Sequence, residues 1–86
     1  MTITPHSLIT ANADIIVKAK AVERHAYALE TANRNWQLIQ KSAERGDVFS
    51  DGTKSRITPA LRRRNLEAIA EQEVKLLEAI KALSNA

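Results

Sequence analysis

An all-α fold is predicted by three features of this sequence. The chain is rich in Ala, Leu, Glu, Lys and Arg, and its aromatics amount to 3%, namely Tyr27, Trp36 and Phe49. That balance favours helix over sheet. From Pro5 to Arg45 there is neither an internal glycine nor a second proline. Within that run Leu8, Ile15, Val22, Leu29, Trp36 and Ala43 recur every seven residues, the coiled-coil repeat of a helix seam. The architecture these features imply is a long helical hairpin forming one domain, with helices over about 5–45 and 59–84 and a loop over 46–58. A separate short helix at 5–11 is the alternative at its start, because Asn12 or Asp14 could cap a second beginning.

The first helix begins at Ile3-Thr4-Pro5, a tripeptide that recurs as Ile57-Thr58-Pro59. Threonine offers its hydroxyl to the free amides of a first turn, and proline at the first helical position forfeits no hydrogen bond. Ile3 and Leu8 stand at the two positions of a hydrophobic staple. Small residues flank the heptad stripe at Ala11, Ala19, Ala21, Ala26, Ala28 and Ala32, so a second helix can approach closely. Lys18 and His25 interrupt the edge of that stripe. The stop is Gly46, preceded by Lys41 and Arg45, whose charges suit a helix C-terminus.

The connection that follows contains the turn signal Asp51-Gly52, with Val48-Phe49 beside it. Segments so short are not stable as strands alone, so a loop is expected. In the second helix Leu66, Ile69, Ala70, Leu76, Leu77, Ile80 and Leu83 define an apolar face with Glu73 near its middle. An antiparallel hairpin pairing Arg45 with Pro59 sets Glu73 across from about Thr31–Asn35, where Asn33 or Arg34 would meet it. The same register leaves roughly the first fifteen residues of helix 1 without a neighbour. That overhang holds Leu8, Ile9, Ile15, Ile16 and Val17. Water is a poor neighbour for such a stretch, so a homodimer forming a four-helix bundle is expected, with Leu8, Ile15, Ile16, Val22, Leu29 and Trp36 at the oligomer or partner interface.

Charge is unevenly spread. Of thirteen basic residues, eight cluster about the loop end (Arg34, Lys41, Arg45, Lys54, Arg56, Arg62, Arg63 and Arg64), against Glu44, Asp47 and Asp51. The rest of the chain is net acidic. Arg62-Arg63-Arg64 falls at the start of helix 2, where the helix dipole disfavours cations. Three adjacent residues fan over roughly 200° of a helix, so at least two face solvent or a ligand. Arg45, Lys54, Arg56, Arg62, Arg63 and Arg64 are therefore the candidates for contact with an acidic partner or with phosphate; a solubilising face paired with Glu67 is the other reading.

Chemistry leaves little trace. With two glycines there is no Gly-rich phosphate loop, and with no cysteine there is neither disulfide nor thiolate site. His6 and His25 lack carboxylates at metal-ligand spacing. No catalytic residues, metal or cofactor are expected. The longest run of large apolar residues is Ile15-Ile16-Val17, too short for a membrane span, and Met1–Thr10 lacks the features of a secretory signal. A cytoplasmic protein without membrane contact is the expectation. The function expected is a small non-enzymatic interaction module, an adaptor, regulator, inhibitor or chaperone, that self-associates and binds a partner protein. The alternative is a nucleic-acid-binding regulator contacting phosphates through the basic end, although stacked aromatics and helix-turn-helix spacing are missing.

Overall fold

The computed structural model describes residues 5–85, with side chains described from residue 13 onward. It is an all-α hairpin of two helices, α1 (Pro5–Arg45) and α2 (Pro59–Ser84), which pack against each other along the length of α2. Helix α1 is continuous, so no break occurs at Asn12 or Asp14. The staple between Ile3 and Leu8 and the cap at Thr4 lie outside the described residues.

The ends of the helices have identifiable causes. Gly46 adopts a φ of 69°, donates its N–H to the Ala43 carbonyl at 3.2 Å, and is followed by Asp47 donating to Ser42 at 3.2 Å. These two bonds form a Schellman cap, which needs a left-handed residue and so favours glycine. At the other end of the loop Thr58 is extended, and its Oγ1 accepts from the Leu61 N–H at 3.1 Å with Pro59 next in the chain. That is the cap the Thr-Pro pair predicts.

The loop carries a tight turn. Phe49 donates its N–H to Thr53 at 2.8 Å, Gly52 to Phe49 at 2.9 Å, and Ser55 to Asp47 at 2.8 Å. Val48 and Lys54 form an isolated antiparallel bridge across it. Asp51 steadies the turn by accepting from the backbone N–H of Thr53 at 2.9 Å and from its hydroxyl. No strand develops among the described residues, so the segment is a loop folded on one turn.

The seam between the helices departs from the sequence reading on one side. On α1, Val22, Leu29, Trp36 and Ala43 are sheltered with Lys18, His25, Ala32 and Ile39 one step along, a heptad seam. On α2 the sheltered positions are Leu61, Asn65, Ile69, Gln72, Leu76, Ala79 and Leu83. The expected apolar face is thus split. Ile69, Leu76 and Leu83 enter the seam, whereas Leu66, Ala70, Leu77 and Ile80 remain exposed. Glu73 lies with the exposed set, and Arg34 pairs instead with Glu30 at 2.9 Å. Gln72, one residue earlier, occupies the register opposite Ala28–Asn35. The expected pairing of Glu73 with Asn33 or Arg34 is therefore replaced by a polar amide in the seam.

The result has very little interior. Trp36 is the one buried hydrophobic among the described residues. The molecule measures 70 × 21 × 16 Å with a radius of gyration of 20.2 Å. A compact chain of this length would have a radius near 12 Å.

Candidate functional site

Two surfaces stand out, one apolar and one basic. The apolar surface has a physical origin in the α2 sequence, which carries more large aliphatic residues than one seam can use. At 100° per residue, Leu66, Ala70, Leu77 and Ile80 lie roughly 110° round the helix from the middle of the seam. Leu77 is 66% exposed, and Leu66 and Ile80 are about half so. Ile15 projects from α1 on the same side of the hairpin. Ile16 points away from α2 and Val17 toward the opposite side, and both are exposed. Val22 and Leu29 are half-buried and Trp36 is buried, so these three are occupied by the hairpin's own seam. Of the expected interface residues, Ile15 and Ile16 are thus left free, and the Leu8 side chain lies outside the described ones. Leu66, Leu77 and Ile80 belong to the surface as well. Their signal in the sequence is the width of the α2 apolar face.

The basic surface surrounds the loop end. Arg45 is engaged within the chain: its guanidinium meets Asp47 at 2.9 Å, and Ser42 Oγ donates to the same carboxylate at 3.0 Å. The hydrogen bond from Arg45, followed by that from Ser42, holds Asp47 below the ordinary carboxylate range, and the partnership raises Arg45 in turn. Arg45 is thereby a brace for the helix cap. The other five candidates are exposed, and none is within 4.0 Å of a carboxylate among the described residues. Glu67 lies beside Arg63 and Arg64 without forming an ion pair with either.

These five cations do not converge on one point. Lys54 and Arg56 border a groove on the side of the hairpin opposite the apolar face. Arg56 and Arg62 border a second depression with Glu44 and Gln40. Arg63 and Arg64 flank a third, shallow one. The arginine triplet fans round α2 as its spacing requires, and Arg56 is the residue shared between sides. A basic collar results.

Near the middle of the hairpin Tyr27, Ala28, Thr31, Glu71 and Gln72 enclose a further groove. The Gln72 Oε1 is buried there without a hydrogen-bond partner. Asp14 pairs with Lys18 at 2.9 Å and Glu71 with Lys75 at 3.0 Å, each one turn apart on a helix. No three His, Asp or Glu side chains gather as a metal site among the described residues. No described helix is long and apolar enough to cross a membrane.

Comparison of the chain with protein-family models, with curated proteins and with solved structures finds no match in any of the three.

Proposed function

We propose that this chain is a small, non-enzymatic helical interaction module that self-associates, most simply as a dimer, and binds a partner protein. The observation that carries the reading is surface area. The chain exposes 6906 Å², where a compact monomer of its mass, 9.5 kDa, would expose about 5,000 Å². The excess of roughly 1,900 Å² per chain matches what an obligate homodimer or permanent complex covers. That excess includes aliphatic residues in a row, and a hairpin with one buried side chain among the described residues has little else to stabilise it. Packing the side that bears Leu66, Leu77, Ile80 and Ile15 against a second hairpin yields a four-helix bundle, with the groove bordered by Lys54 and Arg56 left open for a partner.

Sedimentation equilibrium from 1 to 200 µM tests this directly. Dimeric mass with concentration-dependent unfolding supports the reading; a folded monomer at all concentrations overturns it. The five unpaired cations favour one second reading, a regulator held on nucleic acid through phosphate contacts. Labelled duplex DNA separates the two. Affinity that survives 200 mM salt and is lost in an Arg62/Arg63/Arg64→Ala variant supports nucleic acid, with a log–log salt slope near −0.9 per phosphate neutralised.

A further inference from the structure

The groove at the loop end combines features that neither self-association nor a general positive charge requires. Its floor is apolar, built from Leu38 and Ile39 of α1, Leu61 of α2 and Phe49 of the turn. Leu38 is 55% exposed and Phe49 57% exposed, although both stand beside apolar neighbours. The groove encloses about 530 Å³, within the usual range of ligand sites. Lys54 and Arg56, two residues apart, both border it, and neither has a carboxylate partner among the described residues. The wall that carries them is held in place before anything binds. Three backbone hydrogen bonds close the turn, and the Asp47 carboxylate ties it to Arg45 and Ser42 at the end of α1. Such preorganisation spares a ligand the cost of ordering the loop.

We infer that this groove binds an acidic peptide segment of the partner protein, with a leucine or phenylalanine seated on the Leu38–Phe49 floor and carboxylates on Lys54 and Arg56. The inference rests on the partner-binding half of the proposed function and supplies the chemistry of that partner. Charge complementarity selects the occupant. Two unpaired cations on the rim of an aliphatic floor suit a carboxylate chain with an apolar anchor. A nucleic acid strand would find a single aromatic, Phe49, on which to stack. A second copy would use the apolar face of α2, on the other side of the hairpin.

The test uses the full chain as bait for a displayed library of random dodecapeptides, followed by fluorescence anisotropy of the enriched sequences at 150 mM salt. Enriched peptides are expected to carry at least two Asp or Glu around a Leu or Phe. Their affinity should fall about tenfold in Lys54→Glu/Arg56→Glu, as exchanging two rim attractions for two repulsions implies, and comparably in Leu38→Asp. It should change less than about threefold in Arg63→Glu/Arg64→Glu, which alters the same net charge elsewhere. Circular dichroism of each variant confirms that the exposed substitutions leave the helices intact. No enrichment, enrichment of sequences without acids, or equal loss in the Arg63/Arg64 variant overturns the inference. So does competition by duplex DNA at 200 mM salt with the same variant dependence, which would make nucleic acid the occupant. Sedimentation of the wild type separates this inference from self-association: a monomeric wild type that binds peptide counts against the dimer alone, and a dimeric wild type that binds no peptide counts against the groove alone. A groove variant that becomes monomeric also overturns it, since the occupant is then a second copy.

Discussion

Replacing Leu77 with alanine distinguishes a hairpin that stands alone from one that is half of a bundle. Leu77 is 66% exposed on the free face of α2. In an isolated hairpin its truncation is a surface change worth at most about 0.5 kcal/mol, and alanine is if anything the better helix former. In a dimer that covers this face the same side chain becomes buried. Full burial of a leucine is worth about 1.5–3 kcal/mol; with two-thirds of it still exposed, about 1–2 kcal/mol remains to be gained per chain. Two chains make the loss about 2–4 kcal/mol, so the dimer dissociation constant should rise from roughly 30-fold to several hundred-fold. Sedimentation equilibrium of the wild type and of Leu77→Ala gives both constants, and thermal unfolding at several concentrations gives an independent check. Equal constants for the two proteins, with the wild type dimeric, would show that the interface lies elsewhere. Val17→Ala on the other side of α1 is the control, and should leave the constant within a fewfold.

Further perturbations address what holds the hairpin together. Trp36→Ala removes the one buried hydrophobic side chain among the described residues; a loss of about 3–5 kcal/mol is expected, seen as a collapse of the far-ultraviolet helix signal at room temperature. Gly46→Ala puts a Cβ at a φ of 69° with only ordinary contact, 3.7 Å, to the Lys54 side chain. Its cost is thus conformational, about 1–2 kcal/mol, and an unchanged urea midpoint would show that the cap contributes nothing. Gln72→Leu exchanges a buried, unpartnered carbonyl oxygen for methyl groups; stability should rise by about 1–3 kcal/mol, and a lower urea midpoint would mean that the amide has a partner in the assembled protein. Asp47 is held below the ordinary carboxylate range by Arg45 and Ser42. A depressed folded-state value contributes stability that is complete above about pH 4 and fades as pH falls through that lowered value. Carboxyl carbon shifts measured against pH should give an Asp47 midpoint below that of a model peptide, and a midpoint at or above it would remove the brace.

Much of the fold is legible because its signals are local. Thr58-Pro59 and Gly46 act within a turn of themselves, and the bonds they make are those their chemistry prescribes. The α1 heptad is legible for a different reason. That helix has a single large-residue stripe through Val22, Leu29 and Trp36, so the direction of its neighbour is fixed by the pattern. Helix α2 has no such economy. Its aliphatic residues cover a sector wide enough for two neighbours, and no property of the helix alone says which half meets α1. The choice is made by α1: its seam, lined by alanines, leaves room for Asn65, whose Nδ2 donates to the Leu61 carbonyl at 2.8 Å, and for Gln72, whose Oε1 is buried without a partner. The basic site is legible in composition but not in arrangement. That Arg45 braces a cap while Lys54 and Arg56 border an apolar groove depends on how the turn folds back, which no spacing rule gives.

The surplus on α2 is therefore informative about function. A helix that needed only α1 could carry lysine or glutamate at positions 66, 77 and 80 and gain solubility by it. Aliphatic residues at those positions bring an isolated hairpin only part of the benefit of burial, because Leu77 keeps 66%, Leu66 48% and Ile80 42% of its surface in water. Glu73, set in the same stripe, would oppose indiscriminate association by demanding a polar partner or an edge position when the face is covered. In the proposed dimer Leu66, Leu77 and Ile80 would supply adhesion and Glu73 register, the division of labour found where apolar seams carry one polar residue. On that argument Glu73→Leu should strengthen association while broadening it, giving higher oligomers in place of one defined species. Sedimentation velocity of the variant would show a single dimer boundary if Glu73 has no such role.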